Sequence, residues 1–465
     1  MLFNSLDFVL LLGTVLALYG FLDRKRQNLL LLAASYVFYG FWNWRFLALV
    51  FTAAVVDYTA GRGIAAATSP RGRRAWLICS IAFNLGILAW FKYFGFFVGS
   101  AVALLQTLGV SASVPTLEIV LPVGISFFTF QSMSYIFDVY RGKVPATKSL
   151  PDYLLYVSFF PQLAAGPIER AGHLLAQFQN ERKVTPDFVY RGLLLLLLGL
   201  FKKVAVADNL GVYVDAVYNN HDQHGGLSLL FATYLFSFQI YCDFSGYCDM
   251  AVGMARLLGL DLMKNFDTPY FSESPQEFWR RWHIALSTWF RDYVYIPLGG
   301  GRGTTLHVCA VTMVVFLASG LWHGANWRFV VWGGLHGLYL IAQRLLGVAR
   351  SPASGARRVL RIFLTFQLVA LAWIFFRADS AGEALEVIRT IATNPGELFF
   401  PREVVNGLIC LALLLGIESA TQPRYFDEWL VERKPSAQLA FASVVLFAVV
   451  LLGQQRGAQF IYFQF

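Results

Sequence analysis

Cysteine and charge are both scarce in this chain. Five cysteines occur in 465 residues: Cys79, Cys242, Cys248, Cys309 and Cys410. All lie in or beside apolar runs and none forms a Cys-x-x-Cys pair. That excludes a disulfide framework and reads as small buried apolar side chains. Charged residues are 14% of the chain, against about 25% in soluble domains. Apolar runs are continuous rather than alternating, which excludes a transmembrane β-barrel. No internal repeat or low-complexity tract is visible, which weighs against an inverted-repeat transporter. No His-Glu-x-x-His pair and no Gly-x-Ser-x-Gly elbow occur, so neither a zincin site nor a serine hydrolase elbow is encoded.

What the chain has instead is hydrophobic length. Apolar residues make up 57% and the mean hydropathy is +0.56. Candidate runs cover residues 8–21, 28–41, 46–60, 76–90, 94–108, 119–136, 153–163, 190–205, 227–241, 307–321, 329–346, 362–376, 405–417 and 439–452. Many approach the ~20 residues a helix needs to cross a bilayer. The pattern predicts an all-α polytopic integral membrane protein, one domain over residues 1–465, with roughly 11–14 membrane segments. No basic residue precedes the first run, so it does not read as a cleavable signal. The positive-inside rule places the first end outside and Arg24-Lys25-Arg26 in the cytoplasm, with Arg62 and Arg71–Arg74 on the same side. Such loops, facing anionic lipid headgroups, account for the net charge of +9 without nucleic acid.

Polar residues inside apolar runs are the candidates for chemistry. Asp57, Asp138 and Arg141 read as helix-end charges or intramembrane ion pairs. Asp243 has Tyr241, Ser245 and Tyr247 as local polar partners, and Glu169-Arg170 follows Gly166-Pro167. Of the seven histidines, His173, His221, His224 and His307 lie in or beside loops, and His336 reads as helix packing. His283 belongs to Glu277-Phe-Trp-Arg-Arg-Trp-His-Ile-Ala-Leu-Ser-Thr-Trp-Phe-Arg-Asp292. At helical spacing Phe278, Trp282, Ala285, Leu286 and Trp289 share a face, which predicts one amphipathic interfacial helix ended by the glycine-rich turn after Pro297. His323 stands in Trp322-His-Gly-Ala-Asn326 between two long apolar stretches. Imidazole is the side chain best suited to proton transfer near neutral pH, and Gly320 and Gly324 beside it suggest room for a substrate.

Six stretches carry a resemblance. They are Asn28–Tyr39, Leu121–Phe130, Ala165-Gly-Pro-Ile-Glu-Arg170, Asp243-Phe-Ser-Gly-Tyr247, Glu277–His283 with Leu286–Trp289, and Gly320-Leu-Trp-His-Gly-Ala-Asn326. With the terminal Phe460–Phe465, the chain resembles the membrane-bound O-acyltransferase family nearly end to end. The likeness is to its bacterial branch, which acetylates exported polysaccharides such as alginate or cellulose. The resemblance implies a ring of helices around a funnel, in the bacterial inner membrane. It places the family's motif histidine on His323 and its second polar site on His283. Arg280, Arg281, Trp282, Asp243, Trp322 and Asn326 fall in the same motifs as candidate substrate- or donor-binding residues, with no metal ligand.

The resemblance also implies acetyl-CoA as a donor substrate rather than a bound cofactor. The phosphates of CoA suit the cations Arg280, Arg281 and Arg291, with Lys264 and Arg302 nearby. His323 would act as general base, and His283 would orient the acyl group or polarise its carbonyl. The branch implies relay of the acetyl group to a periplasmic or membrane-anchored acetyltransferase partner in a polysaccharide export complex, with direct transfer to the sugar hydroxyl as the other scheme. D-alanyl or other acyl transfer from a carrier protein is the alternative within the family; a transporter, a lipid flippase or an export scaffold are those outside it.

Overall fold

In the computed structural model the chain is helical, with no strand among the described residues, which are 1, 3–111, 119–347, 353–422, 424–454 and 460–461. The protein is therefore of the all-α polytopic membrane class. Among the described residues, seven helices are both long and apolar enough to span a bilayer: Arg45–Ala66, Pro70–Thr107, Gly226–Leu257, Thr305–His323, Gly355–Arg377, Val404–Thr421 and Pro435–Leu452. The terminal motif is described only at Phe460 and Ile461; residues 462–465 lie outside the described residues. The chain divides into two compact units, Met1–Val184 with Leu258–Leu262, and Thr185–Leu257 with Met263–Phe465.

In the first unit, helix starts coincide with side-chain caps. The Ser5, Asp23 and Ser69 side chains accept from the N–H groups of Phe8, Arg26 and Gly72, and Pro70 opens its helix where the missing N–H costs nothing. The runs 76–90 and 94–108, expected as separate segments, are one continuous 38-residue helix, Pro70–Thr107. Lys92 had split them by hydropathy. The structure absorbs it in a π-helical turn, Ala89–Tyr93, with Lys92 Nζ donating to Ser126 Oγ at 3.2 Å. Asp57 is fully buried in helix Arg45–Ala66. Its carboxylate accepts from Ser80 Oγ at 2.6 Å and Asn84 Nδ2 at 2.9 Å on the next helix. Neutral donors thus hold it, where a helix-end charge or ion pair was expected. Each such bond in a membrane interior replaces an unsatisfied group.

In the second unit, helix Gly226–Leu257 has 32 residues and is about 48 Å long at 1.5 Å per residue. It lies against helix Pro186–Leu200 along a glycine seam. A Cβ at Gly192 would come within 2.8 Å of the Gly253 carbonyl, and one at Gly246 within 2.7 Å of the Gly199 carbonyl. Small residues let membrane helices approach this closely. The unit's core is aromatic: Trp282, Trp332 and Trp373 are all essentially without exposure. Trp332 and Trp373 stack with ring centroids 5.7 Å apart.

Candidate active site

The segment expected to be one amphipathic helix is two short ones, Pro275–Arg281 and Ile284–Phe290. The first starts at Ser274, whose hydroxyl accepts from Glu277 N at 3.2 Å, with Pro275 at its first position. It stops because Trp282 is extended (φ −101°, ψ 128°) and His283 is left-handed (φ 44°, ψ 54°). Helical periodicity could not show this, since a left-handed residue that is not glycine is uncommon. The break is fastened by residues 265–267. Asp267 N donates to Arg281 O at 2.9 Å and Ile284 N donates to Asn265 O at 2.9 Å. Asn265 Oδ1 meets Ala285 N at 3.1 Å and His283 Nδ1 at 3.1 Å, while its Nδ2 donates to Cys248 Sγ at 3.3 Å.

The break turns the His283 ring into an aromatic enclosure. Phe244 lies edge-on at 4.8 Å between centroids, Phe266 is stacked at 6.5 Å, and Trp322 is at 5.8 Å. His283 is wholly buried, and burial pushes its imidazole down to about 3. A protonated ring there would lose its hydration, so the neutral form prevails.

His323 is the last residue of helix Thr305–His323 and is 3% exposed. Its ring lies 6.3 Å from that of His283, centroid to centroid. Trp322 at 5.0 Å, Trp332 at 4.8 Å and Phe376 at 5.6 Å surround it. The structure thus brings together two histidines 40 positions apart in the sequence. Gly320 and Gly324 do not make room for substrate as expected. An added methyl would overlap the Phe329 carbonyl at Gly320 and the Phe329 ring at Gly324. They are small because the next helix, Trp327–Leu345, presses on them.

The other candidates divide. Arg280 is exposed and lines a cavity of about 870 Å³ with Gln276, Arg291, Arg344, Gln343 and Ser319. Ser319 is one turn before His323, and Ile284, which follows His283, lines the same cavity. Arg281 is instead held by Glu277 Oε1 at 2.8 Å and by Asp267 O at 3.4 Å. Lys264 faces Glu428 at 3.1 Å and the Tyr425 ring, and Arg302 is exposed elsewhere. Trp282 is core, stacked on Phe278 at 5.5 Å. Asp243 accepts from Lys203 Nζ and Ile461 N, each at 2.6 Å, so it fastens a helix to residue 461. Asn326 caps helix Trp327–Leu345, its side chain accepting from Arg328 N at 3.1 Å. His336 is buried, and its Nδ1 accepts from Trp279 Nε1 at 3.3 Å. Asn265 and Lys203 were not among the sequence candidates. Asn265 carried a faint signal, as an amide between Lys264 and the aromatic Phe266; nothing tied it to a residue 18 positions on.

The family model for MBOAT, the membrane-bound O-acyltransferase family, matches residues 75–376. The chain is 44% identical over 382 residues to "Probable alginate O-acetylase AlgI" of Azotobacter vinelandii, covering 82% of this chain and 76% of that one. It is 35% identical over 424 residues to "Peptidoglycan O-acetyltransferase" of Helicobacter pylori, covering 82% and 80%. A more distant match is "Teichoic acid D-alanyltransferase" of Streptococcus thermophilus, 28% identical over 55% of this chain and 68% of that one.

Proposed function

The chain belongs to the membrane-bound O-acyltransferase family, and from that premise we propose that it takes an acetyl group from cytoplasmic acetyl-CoA and passes it across the inner membrane for O-acetylation of an exported polysaccharide. The observation that carries this reading is the meeting of His283 and His323, both buried, with ring centroids 6.3 Å apart. Both lie inside the residues matched by the family.

His323 acts as general base. The acceptor hydroxyl oxygen attacks the thioester carbonyl, a C–O bond forms and the C–S bond breaks. The hydroxyl proton passes to His323 and then to the departing thiolate. The C-terminal end of helix Thr305–His323 favours the positive charge that the ring carries in between. His283 orients the acyl group. The cavity lined by Arg280, Arg291 and Arg344 receives the donor. Its volume falls in the range of roughly 300–1,000 Å³ usual for small-molecule sites, and guanidinium groups suit phosphates.

The acceptor in this reading is a hydroxyl of a periplasmic or membrane-anchored partner, which then acetylates an alginate- or cellulose-like polymer. Connecting segments such as 394–403 are short for gripping a polymer themselves.

The test is His323→Ala in cells that acetylate the polymer. Acetylation should fall by ~10²–10⁴-fold, the worth of general-base assistance, with unchanged membrane accumulation. Normal acetylation by a well-accumulated variant would sink the assignment and favour an export scaffold. Efficient use of a loaded carrier protein with no binding of acetyl-CoA in nanodiscs would move the donor to the carrier-dependent alternative that the resemblance leaves within the family.

A further inference from the structure

The hydrogen bonds around Asn265 decide which nitrogen of His283 carries its proton. Asn265 Oδ1 lies 3.1 Å from Ala285 N. A backbone N–H can only donate, so the atom facing it is an acceptor, and the amide orientation is fixed without reference to the histidine. The same oxygen lies 3.1 Å from His283 Nδ1. Two acceptors cannot bond each other, so Nδ1 must be the donor. The other half of the amide agrees, since Nδ2 points at Cys248 Sγ, a weak acceptor, at 3.3 Å.

Geometry leaves the pair little freedom. The left-handed backbone at His283 and the bonds Asp267 N to Arg281 O and Ile284 N to Asn265 O hold residues 265–267 alongside residues 281–284. Asn265 therefore contacts the break with both its main chain and its side chain. It is itself 2% exposed, and the ring it meets is fully buried against Phe244, Phe266 and Trp322.

We infer that Asn265 is a positioning residue for the transfer reaction, holding His283 as the neutral Nδ1–H tautomer so that Nε2 presents a lone pair. The inference rests on the reading of His283 as part of the transfer site, and it narrows that reading. A bare Nε2 can accept a hydrogen bond or a proton from a hydroxyl or thiol. It cannot polarise a carbonyl or stabilise an oxyanion by donating. Of the two roles open to His283 from the resemblance, carbonyl polarisation is removed, and orientation is kept only toward the hydroxyl or thiol, because an acetyl thioester has no hydrogen to donate to Nε2. A neutral amide suits this task better than a carboxylate, because it fixes the tautomer without stabilising the imidazolium.

The tautomer can be read without turnover, so this inference and the proposed reaction can fail separately. Full-length protein with isotope-labelled histidine, reconstituted in lipid bilayers, is examined by magic-angle-spinning NMR. The His283 signals are those missing in His283→Gln. The expected result at neutral pH is a protonated Nδ1 and a bare Nε2, with that fixed state lost in Asn265→Ala. Asn265→Asp keeps an oxygen at the same place and should keep Nδ1 protonated. In turnover with acetyl-CoA, Asn265→Ala should lower kcat about 10–100-fold with KM little changed, and Asn265→Asp should recover most of it. A bare Nδ1 in the wild-type or Asp protein, or an unchanged tautomer in Asn265→Ala, overturns the inference. If the Ala variant does not accumulate, the wild-type and Asp spectra decide.

Discussion

His173 and His283 carry the same ring in opposite surroundings. His173 lies between two carboxylates, with Nδ1 2.8 Å from Glu169 and Nε2 3.7 Å from Asp261. Those acids push it up to about 10. His283 meets a neutral amide and three aromatic rings, and burial pushes it down to about 3. A carboxylate fixes a charge, whereas an amide fixes a direction and leaves the ring neutral. A ring clamped as a cation between two acids is a tie. Only the ring held neutral keeps an acceptor nitrogen with which to orient a substrate.

The sharpest way to break this comparison is to remove each ring in turn. His283→Gln should lower polymer acetylation by about 10²-fold, the cost of a misplaced reacting group. His173→Gln should leave acetylation near the wild-type level at equal membrane accumulation. Quantifying ester-linked acetate on the polymer from matched membranes checks both. Equal losses would mean that the enclosure around His283 is structural only.

Two neighbouring arginines repeat the contrast on a smaller scale. Arg281 is paired with Glu277 at 2.8 Å, whereas Arg280 is exposed and lines the cavity. Arg280→Ala should weaken donor affinity by about 1–3 kcal/mol, the value of a charged hydrogen bond. Arg281→Ala should change it little, because that charge is already committed to Glu277 and to the Asp267 and Thr268 oxygens. Titration of each variant with acetyl-CoA in nanodiscs decides, and a larger loss at Arg281 would place the donor elsewhere.

Much of the fold and part of the site are legible in the sequence. The all-helical membrane class follows from continuous apolar runs, which need no knowledge of neighbours. His323 stands out as a candidate because histidine is costly between apolar stretches, His283 because of the motif resemblance, and Trp322 because it adjoins His323. The break at Trp282–His283 is not legible, since the side-chain pattern through it remains helical while the backbone alone departs. Asn265 is hidden because its partnership spans 18 positions with no shared periodicity. For Asp243 the ion-pair reading is open in the sequence, but its partners Lys203 and Ile461 N, 40 and 218 positions away, are not visible there. Gly320 and Gly324 misled for a related reason. Sequence shows that a side chain is missing but not whether the space goes to a ligand or to a neighbouring helix.

The smallest expected effect concerns stability against pH. The folded state holds His173 near 10, against an ordinary value of 6.5. A raised folded value means that the protonated ring is stabilised by folding. That contribution is complete below about pH 6.5 and is lost progressively as pH rises through about 10. The side chain is 38% exposed and Asp261 is 47% exposed, so water screens part of the attraction and the change is modest. The wild-type melting temperature in nanodiscs should therefore decline between pH 7 and 10. His173→Gln should start slightly lower at pH 7 and show a flatter decline over the same range. His283→Gln should leave the slope as in wild type, because a ring already neutral at pH 7 releases no proton there. An unchanged slope in His173→Gln would show that the two carboxylates do not hold a proton on that ring, and the contrast between the two histidines would then rest on burial alone.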